Sequence, residues 1–248
     1  MKKTMVFAAA LILLAGTSSN AGAQDVKDIL NKMIDAQGGR KALESIADST
    51  TLGTLEMIQM GMSGSIAIYQ KYPNKMRIDV EIMGMTMTQA FDGEKAWMTN
   101  MQTGAVEEMP DLMAKNMRRQ ALGARAALHP EQVGITYVFK GREKVNDKEY
   151  IVLEQSFKDE FKATVYVDPT TYLTYKIRAK SMDATGTGGE VETETVYGEY
   201  KKEGDTLAAH TISTFQNGAE ALRMTLTKIS YNSKLEDAFF NMPKSPTD

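Results

Sequence analysis

Alternation of apolar and polar residues with a period of two runs through most of this 248-residue chain. The segment 75–82 is the clearest case, because an apolar residue follows each charged one along its whole length. A strand places successive side chains on opposite faces of a sheet, so such a segment buries one face and exposes the other. Turn-forming pairs such as Asp92-Gly93 and Asn217-Gly218 separate these runs at short intervals. The pattern predicts about ten or eleven antiparallel strands joined by hairpins.

Two blocks break this alternation and indicate helices. Apolar residues recur at helical spacing between Val26 and Ile34, and residues 40–47 leave room for a further short turn. Residues 111–128 follow Pro110 and contain no β-branched residue, which favours one longer helix. So few helices cannot cover both faces of a flat sheet, but they can fill the hollow of a curved one. We therefore expect a mainly β protein with some α structure: an open antiparallel β-barrel of about 11 strands wrapped around two or three helices.

The first 23 residues are typical of a signal peptide. Lys2 and Lys3 precede a short apolar run, and Ala21-Gly22-Ala23 offers the small residues that a signal peptidase reads. Removing both lysines leaves 27 basic against 32 acidic residues, so the charge changes from −3 to −5. We predict a soluble protein of the periplasm, with a single domain at 24–242 and a flexible tail at 243–248.

Composition excludes several classes of function. The chain has no Cys, which rules out disulfides, cysteine-ligated metals and a cysteine nucleophile. Its negative charge argues against nucleic-acid binding. Only two histidines are present, His129 and His210, and no catalytic or phosphate-binding motif accompanies them. We expect a monomer that is not an enzyme and uses neither a cofactor nor a metal.

Methionine is concentrated in one part of the chain. Twelve of the 18 methionines lie between Met57 and Met117. The flexible, unbranched thioether suits a surface that receives apolar groups of varying shape, although it also fills gaps in ordinary cores. A third interpretation is Cu(I) binding through Met83, Met85 and Met87, whose sulfurs would share a strand face. Sequence alone leaves a pocket, a core and a copper site open.

Four segments together resemble outer-membrane lipoprotein-sorting proteins of the LolA/LolB-like family. They are residues 69–77, with Lys71-Tyr72-Pro73-Asn74, and residues 91–97, with Asp92-Gly93 before Trp97. Residues 167–173 and 235–243 are similar to a later turn and to the C-terminal signature of that family. The resemblance spans most of the chain and implies an open barrel with a hydrophobic cavity.

The resemblance implies a periplasmic carrier that shields the acyl chains of lipoproteins or other lipids on their way to the outer membrane. It also implies an inner-membrane extractor and an outer-membrane acceptor as partners. The best-studied carriers have an Arg, which latches a helical lid, where this chain has Tyr72; Lys71, Tyr72 and Arg77 are the candidate latch residues here. An alternative on the same fold is an envelope regulator that binds proteins or senses stress.

We expect the cavity to be lined by inward-facing side chains of the early strands, with an aromatic residue at its rim. The residues are Met57, Ile66, Ile68, Met76, Ile78, Val80, Met85, Met87 and Phe91, with Trp97 at the rim. The helix at 111–128 would cover them as a movable lid through Leu112, Met113 and Met117.

Overall fold

The computed structural model describes residues 21–100, 103–123, 125–182 and 190–243. The predicted signal peptide up to Asn20 lies outside these residues, as does the tail from Lys244 onward. Among the described residues, no helix combines the length and the apolar character needed to span a bilayer.

Strands dominate the described part of the chain and form one antiparallel sheet. Their bounds are β1 (Asp48–Met57), β2 (Met62–Lys71), β3 (Lys75–Ile82), β4 (Met85–Phe91), β5 (Ala96–Thr99), β6 (Val106–Glu108), β7 (Ile135–Val145), β8 (Lys148–Phe157), β9 (Lys162–Val167), β10 (Thr174–Met182), β11 (Glu190–Glu203), β12 (Thr206–Gln216) and β13 (Ala219–Tyr231). Two 3-10 turns, Ile58–Met60 and Asp237–Phe240, accompany them.

The sheet is open, as the sequence predicts. Its strand order is β6-β5-β4-β3-β2-β1-β13-β12-β11-β10-β9-β8-β7, so β6 and β7 are the edge strands of the sheet formed by the described residues. The described residues give 13 strands rather than about 11. Strands β5 and β6 have only four and three residues, too few for an alternation to be visible in the sequence.

The helices are α1 (Ala21–Ala36), α2 (Arg40–Glu44), α3 (Asp111–Ala121), α4 (Arg125–Leu128) and α5 (Pro130–Val133). The prediction of one helix over 111–128 is wrong, because the chain leaves the helix at Gly123. The φ angle there is 53°, a left-handed conformation that glycine adopts at little cost. A Cβ at this position would also lie 2.2 Å from the Gln70 side-chain amide. Only α1 and α3 of these helices are longer than five residues.

Contacts of α3 show that the sheet is strongly curved. The helix packs on β3, β4 and β5, yet the Arg119 guanidinium also pairs with Asp159 in the turn between β8 and β9. The same guanidinium lies 4.0 Å from the centre of the Phe161 ring. In a flat sheet, β4 and β9 would be eight strand spacings, or about 38 Å, apart. One helix touches both regions because the sheet bends around it.

Both long helices lie on the same face of the sheet, which we call the inner face. The buried residues packed under α3 include Met76 and Phe91, and those packed under α1 include Leu153 and Val165. Cross-strand pairing from β4 to β8 places all four of these side chains on one face. The end of the hollow near Tyr231 is closed by α1, α2 and α4, which pack together there.

Candidate functional site: an apolar trough on the inner face

All the predicted lining residues except Trp97 lie on the inner face. The register places Ile68 opposite Ile78 and Met76 opposite Phe91. The same register aligns the remaining members of the set: Met57, Ile66, Val80, Met85 and Met87. Alternation along each strand and hairpin pairing between strands are sufficient to bring these residues together.

Burial of these side chains differs from place to place along the strands. Met76 and Phe91 are buried under α3, and Ile66 is buried opposite Val80. Farther along the strands, Val80 and Met87 are half-buried. Met85, at the start of β4, is 63% exposed and therefore stands at the edge of this surface.

Trp97 does not stand at the rim of the hollow. It pairs with Ala90, whereas Phe91 pairs with Ala96, so the indole lies on the outer face. It is 1% exposed, and its Nε1 donates a hydrogen bond of 2.8 Å to the carbonyl of Phe240. The prediction for Trp97 is wrong because an offset of one residue in a strand reverses the face.

The α3 helix covers the hollow through small and flexible side chains. Ala114, Met117 and Ala121 are buried against the sheet, and Met113 packs beside them. Leu112 is 39% exposed, so the expectation that it faces the sheet is wrong. Its position on the helix, five residues before Met117, turns it away from the face that carries the buried residues.

Two of the predicted latch residues bind the C-terminal segment instead of the helix. The Lys71 ammonium donates to the carbonyl of Leu235 at 2.7 Å and pairs with Asp237. Arg77 donates to the carbonyl of Phe239 at 3.2 Å, and its guanidinium lies 4.5 Å from the centre of that ring. We call residues 235–240 the C-terminal strap, since they cross the outer face over β2–β5.

A second contact at the end of α3, besides that of Arg119, comes from Gln70, which sequence reasoning missed. Its Nε2 donates to the carbonyl of Ala121 at 3.0 Å and reaches that of Gln120 at 3.5 Å. The carbonyls at the end of a helix lack partners within the helix, so a side-chain amide can satisfy them. Tyr72 supports this contact, because its hydroxyl donates to Gln70 Oε1 at 3.4 Å.

The inner face continues beyond the predicted residues into the second half of the chain. One row of neighbours across the strands runs Leu55, Met224, Ile212 and Tyr197. Leu55 is buried and the other three are half-buried. Burial raises the pKa of the Tyr197 phenol to about 12. These strands lie between the parts of the sheet covered by α1 and α3. Together with the predicted inner-face residues that α3 does not cover, among them Val80 and Met87, they form what we call the trough.

A cleft of about 200 Å³ lies beside α1, at the other flank of the inner face. Ile29, Phe139 and Ile151 supply its apolar lining, while Asp28 and Arg142 stand at its edge with Tyr172. This volume is below the range of about 300–1,000 Å³ that is usual for pockets that enclose drug-sized ligands. The cleft is therefore too small to enclose an acyl ligand by itself.

The methionines of the suggested copper site do not share one environment. Met83 occupies the turn between β3 and β4 and is 82% exposed, whereas Met87 is half-buried opposite Val80. Within the described ranges, no group of three or more His, Cys, Asp or Glu residues could hold a metal ion. His210 is one position of β12, with Nδ1 2.9 Å from the carbonyl of Leu226 and Nε2 2.9 Å from Glu203 Oε1.

Comparison with known proteins gives relatives by structure only. No family model matches the sequence, and no curated protein matches it either. A proposed outer membrane lipoprotein-sorting protein domain from Vibrio parahaemolyticus is 15% identical, with a TM-score of 0.57; the match covers 86% of this chain and 95% of that one. A LolA superfamily protein from Nitrosomonas europaea is 12% identical, with a TM-score of 0.58 and coverage of 87% and 96%.

A third solved structure, a DUF1329 family protein from Desulfovibrio piger, is 11% identical, with a TM-score of 0.58 and coverage of 87% and 97%. At these identities the likeness establishes the fold. The resemblance drawn from the four sequence segments is thus confirmed as a shared architecture over most of the chain.

Proposed function

We propose that this protein carries the acyl chains of a lipid or lipoprotein through the periplasm, with the trough as the binding surface. The observation that supports it best is that the apolar side chains of the trough are incompletely covered: Val80, Met87 and Met224 are only half-buried. A core that served stability alone would bury such residues more completely. The shared fold with a LolA superfamily protein is consistent with this assignment.

The energy of acyl transfer requires a cavity of this kind. Burying one CH₂ group is worth about 0.8 kcal/mol, so a chain of about 16 carbons represents on the order of 10 kcal/mol that opposes its release into water. A carrier must replace most of that apolar contact. The trough and the surface beneath α3 together provide it, with side chains flexible enough to fit chains of different length.

In this proposal α3 covers the apolar surface in place of the ligand. Met117 and Ala121 occupy the area over Met76 and Phe91, so an acyl chain entering there displaces the helix. The Gln70 amide fixes the helix end through hydrogen bonds, each worth about 1 kcal/mol net. Such a contact stabilises the covered state yet breaks readily when a ligand competes.

A binding experiment with a fluorescent fatty acid tests the site. Met87→Asp places a carboxylate in the trough, whereas Thr86→Asp places one on the outer face of the same strand, one residue away. We expect Met87→Asp to weaken binding at least tenfold, because a carboxylate beside an acyl chain must lose its hydration or take up a proton, while Thr86→Asp binds normally. Equal binding by both variants, with unchanged circular dichroism, would exclude the trough as the site.

Retention of ligand by the native protein gives an independent test. Protein purified from the periplasm without detergent should show, in native mass spectrometry, a mass increment that organic solvent removes as extractable lipid. An increment that is a polypeptide would instead favour the protein-binding regulator, and one that is copper would favour the methionine site.

A further inference from the structure

Three methionines with exposed side chains lie close together at two neighbouring hairpin tips, at one end of the strands. Met60 ends the 3-10 turn between β1 and β2, Met83 lies in the turn between β3 and β4, and Met85 begins β4. Their exposed fractions are 45%, 82% and 63%. Because β2 pairs with β3, the tips of these two hairpins lie side by side at the same end of the strands. We call this group the methionine rim.

Local backbone requirements do not explain methionine at these positions. Met83 has a φ of 54°, in the left-handed region that Gly, Asn and Asp adopt far more readily. The tip between β3 and β4 does not need an apolar side chain for packing, since the side chains of Met83 and Met85 are largely in solvent. Residues 57–63 and 82–91 also contain no charged residue, so the thioethers are the reactive groups of these tips.

Four other methionines among the described residues are protected. Met33, Met76, Met109 and Met117 are at most 8% exposed and belong to the clusters under α1 and α3. The sequence has no Cys, so methionine provides all of its sulfur. A thioether reacts with an oxidant only where the oxidant can reach it, and accessibility thus separates the three methionines of the rim from these four buried ones.

We propose that Met60, Met83 and Met85 are an oxidative modification site, which hydroperoxides convert to methionine sulfoxide before the core methionines react. The sulfur attacks the terminal peroxide oxygen, the O–O bond breaks, and an S=O bond forms. The proton of the transferred oxygen passes to the departing oxygen, which leaves as water from hydrogen peroxide or as an alcohol from an organic hydroperoxide. Sulfur is oxidised by two electrons and the peroxide is reduced by two. The modified rim is polar, whereas the methionines buried under α1 and α3 keep their thioethers. This inference does not depend on the proposed function.

Hydrogen peroxide treatment of the folded chain, followed by peptide mapping with tandem mass spectrometry, tests the site. We expect Met83, Met85 and Met60 to be oxidised at least about tenfold faster than Met33 and Met109. In urea all five should react at similar rates, which would assign the difference to the fold. Comparable rates for Met33 and Met83 in the folded chain would overturn the proposal.

A matched variant tests what oxidation does to the surface. The triple substitution Met60→Leu, Met83→Leu and Met85→Leu keeps the rim apolar but removes its sulfur. Peroxide should shorten the retention of the unsubstituted protein on a hydrophobic-interaction column, and it should leave the retention of the variant nearly unchanged while the circular dichroism of both stays constant. An equal shift in both proteins would show that the rim is not the modified surface.

Discussion

The two long helices cover the inner face with different kinds of side chain. Under α1, Ile29 and Met33 pack on branched residues of β8 and β9, namely Ile151, Leu153, Val165 and Val167. Under α3, apart from Phe91, every buried member of the cluster is Met or Ala. Branched side chains have few rotamers and fit one partner, whereas methionine adapts to several. The α1 flank thus has the character of a fixed core, and the α3 flank that of a removable cover.

The largest expected effect lies in the α1 flank. Leu153 is fully buried between the strands and α1, so Leu153→Ala should lower the free energy of unfolding in urea by about 3 kcal/mol. Acyl binding by the folded fraction should not change, because this residue is outside the trough. A loss below about 1 kcal/mol would mean that the α1 flank is as adaptable as the α3 flank.

Met117 gives the corresponding test of the cover. Met117→Ala should lower the free energy of unfolding by about 2 kcal/mol, near the lower limit for a buried methionine. Since the covered state competes with the ligand, the affinity for a fluorescent fatty acid should rise severalfold. Leu112→Ala on the exposed side of the same helix is the control and should change neither quantity. Reduced affinity in Met117→Ala would show that α3 belongs to the bound state.

The residues of β2, β3 and β4 that face the helices could be predicted from the sequence. Alternation in β2, β3 and β4 fixes which residues share a face, and hairpin turns fix their neighbours, so the inner face near Ile78 follows from local pattern alone. Trp97 was misplaced because β5 has only four residues, and a short strand does not show which of its faces is buried.

Contacts between distant parts of the chain could not be predicted in this way. Gln70 meets the carbonyl of Ala121 only because the helix ends near Gly123, a break that the helix-forming residues around it conceal. The strap reaches Trp97 across 143 residues of sequence. No periodicity encodes such pairings, which depend on how the closed fold brings two segments together.

Removal of the Gln70 contact should have a smaller effect than either core substitution. Gln70→Ala deletes the hydrogen bonds to the end of α3, and we expect a loss of about 1 kcal/mol in the free energy of unfolding. Amide hydrogen exchange should accelerate in α3 and not in α1, because only the cover is released. Gln59→Ala, at an exposed position, is the control. Uniform acceleration in both helices would show that the cover does not open independently.

The smallest expected effect concerns the ion pairs of the strap on the outer face of β2–β5, opposite the face that α3 covers. Hydrogen bonds from Lys71 and then from Lys75 lower the pKa of Asp237 below its ordinary value of 3.8. Because the pKa is lowered, the ion pairs of Asp237 contribute fully to stability above the ordinary pKa. That contribution is lost as the pH falls through the lowered pKa. Trp97, the single tryptophan, contacts the strap through Phe240, so its fluorescence should report loosening of the strap in acid.

Asp237→Asn should remove most of the change in Trp97 fluorescence over the pH range in which the Asp237 carboxyl takes up a proton. It should leave the fluorescence at neutral pH almost unchanged. The strap packs on the outer face of β3–β5 and is expected to stabilise these strands when α3 leaves the inner face. Acyl binding should then persist, as the pH falls, until the strap loosens. Binding that disappears at a higher pH than the change in Trp97 fluorescence would mean that the sheet depends on α3 itself. The α3 flank would then be a core like the α1 flank, and the distinction between fixed and removable helices would not hold.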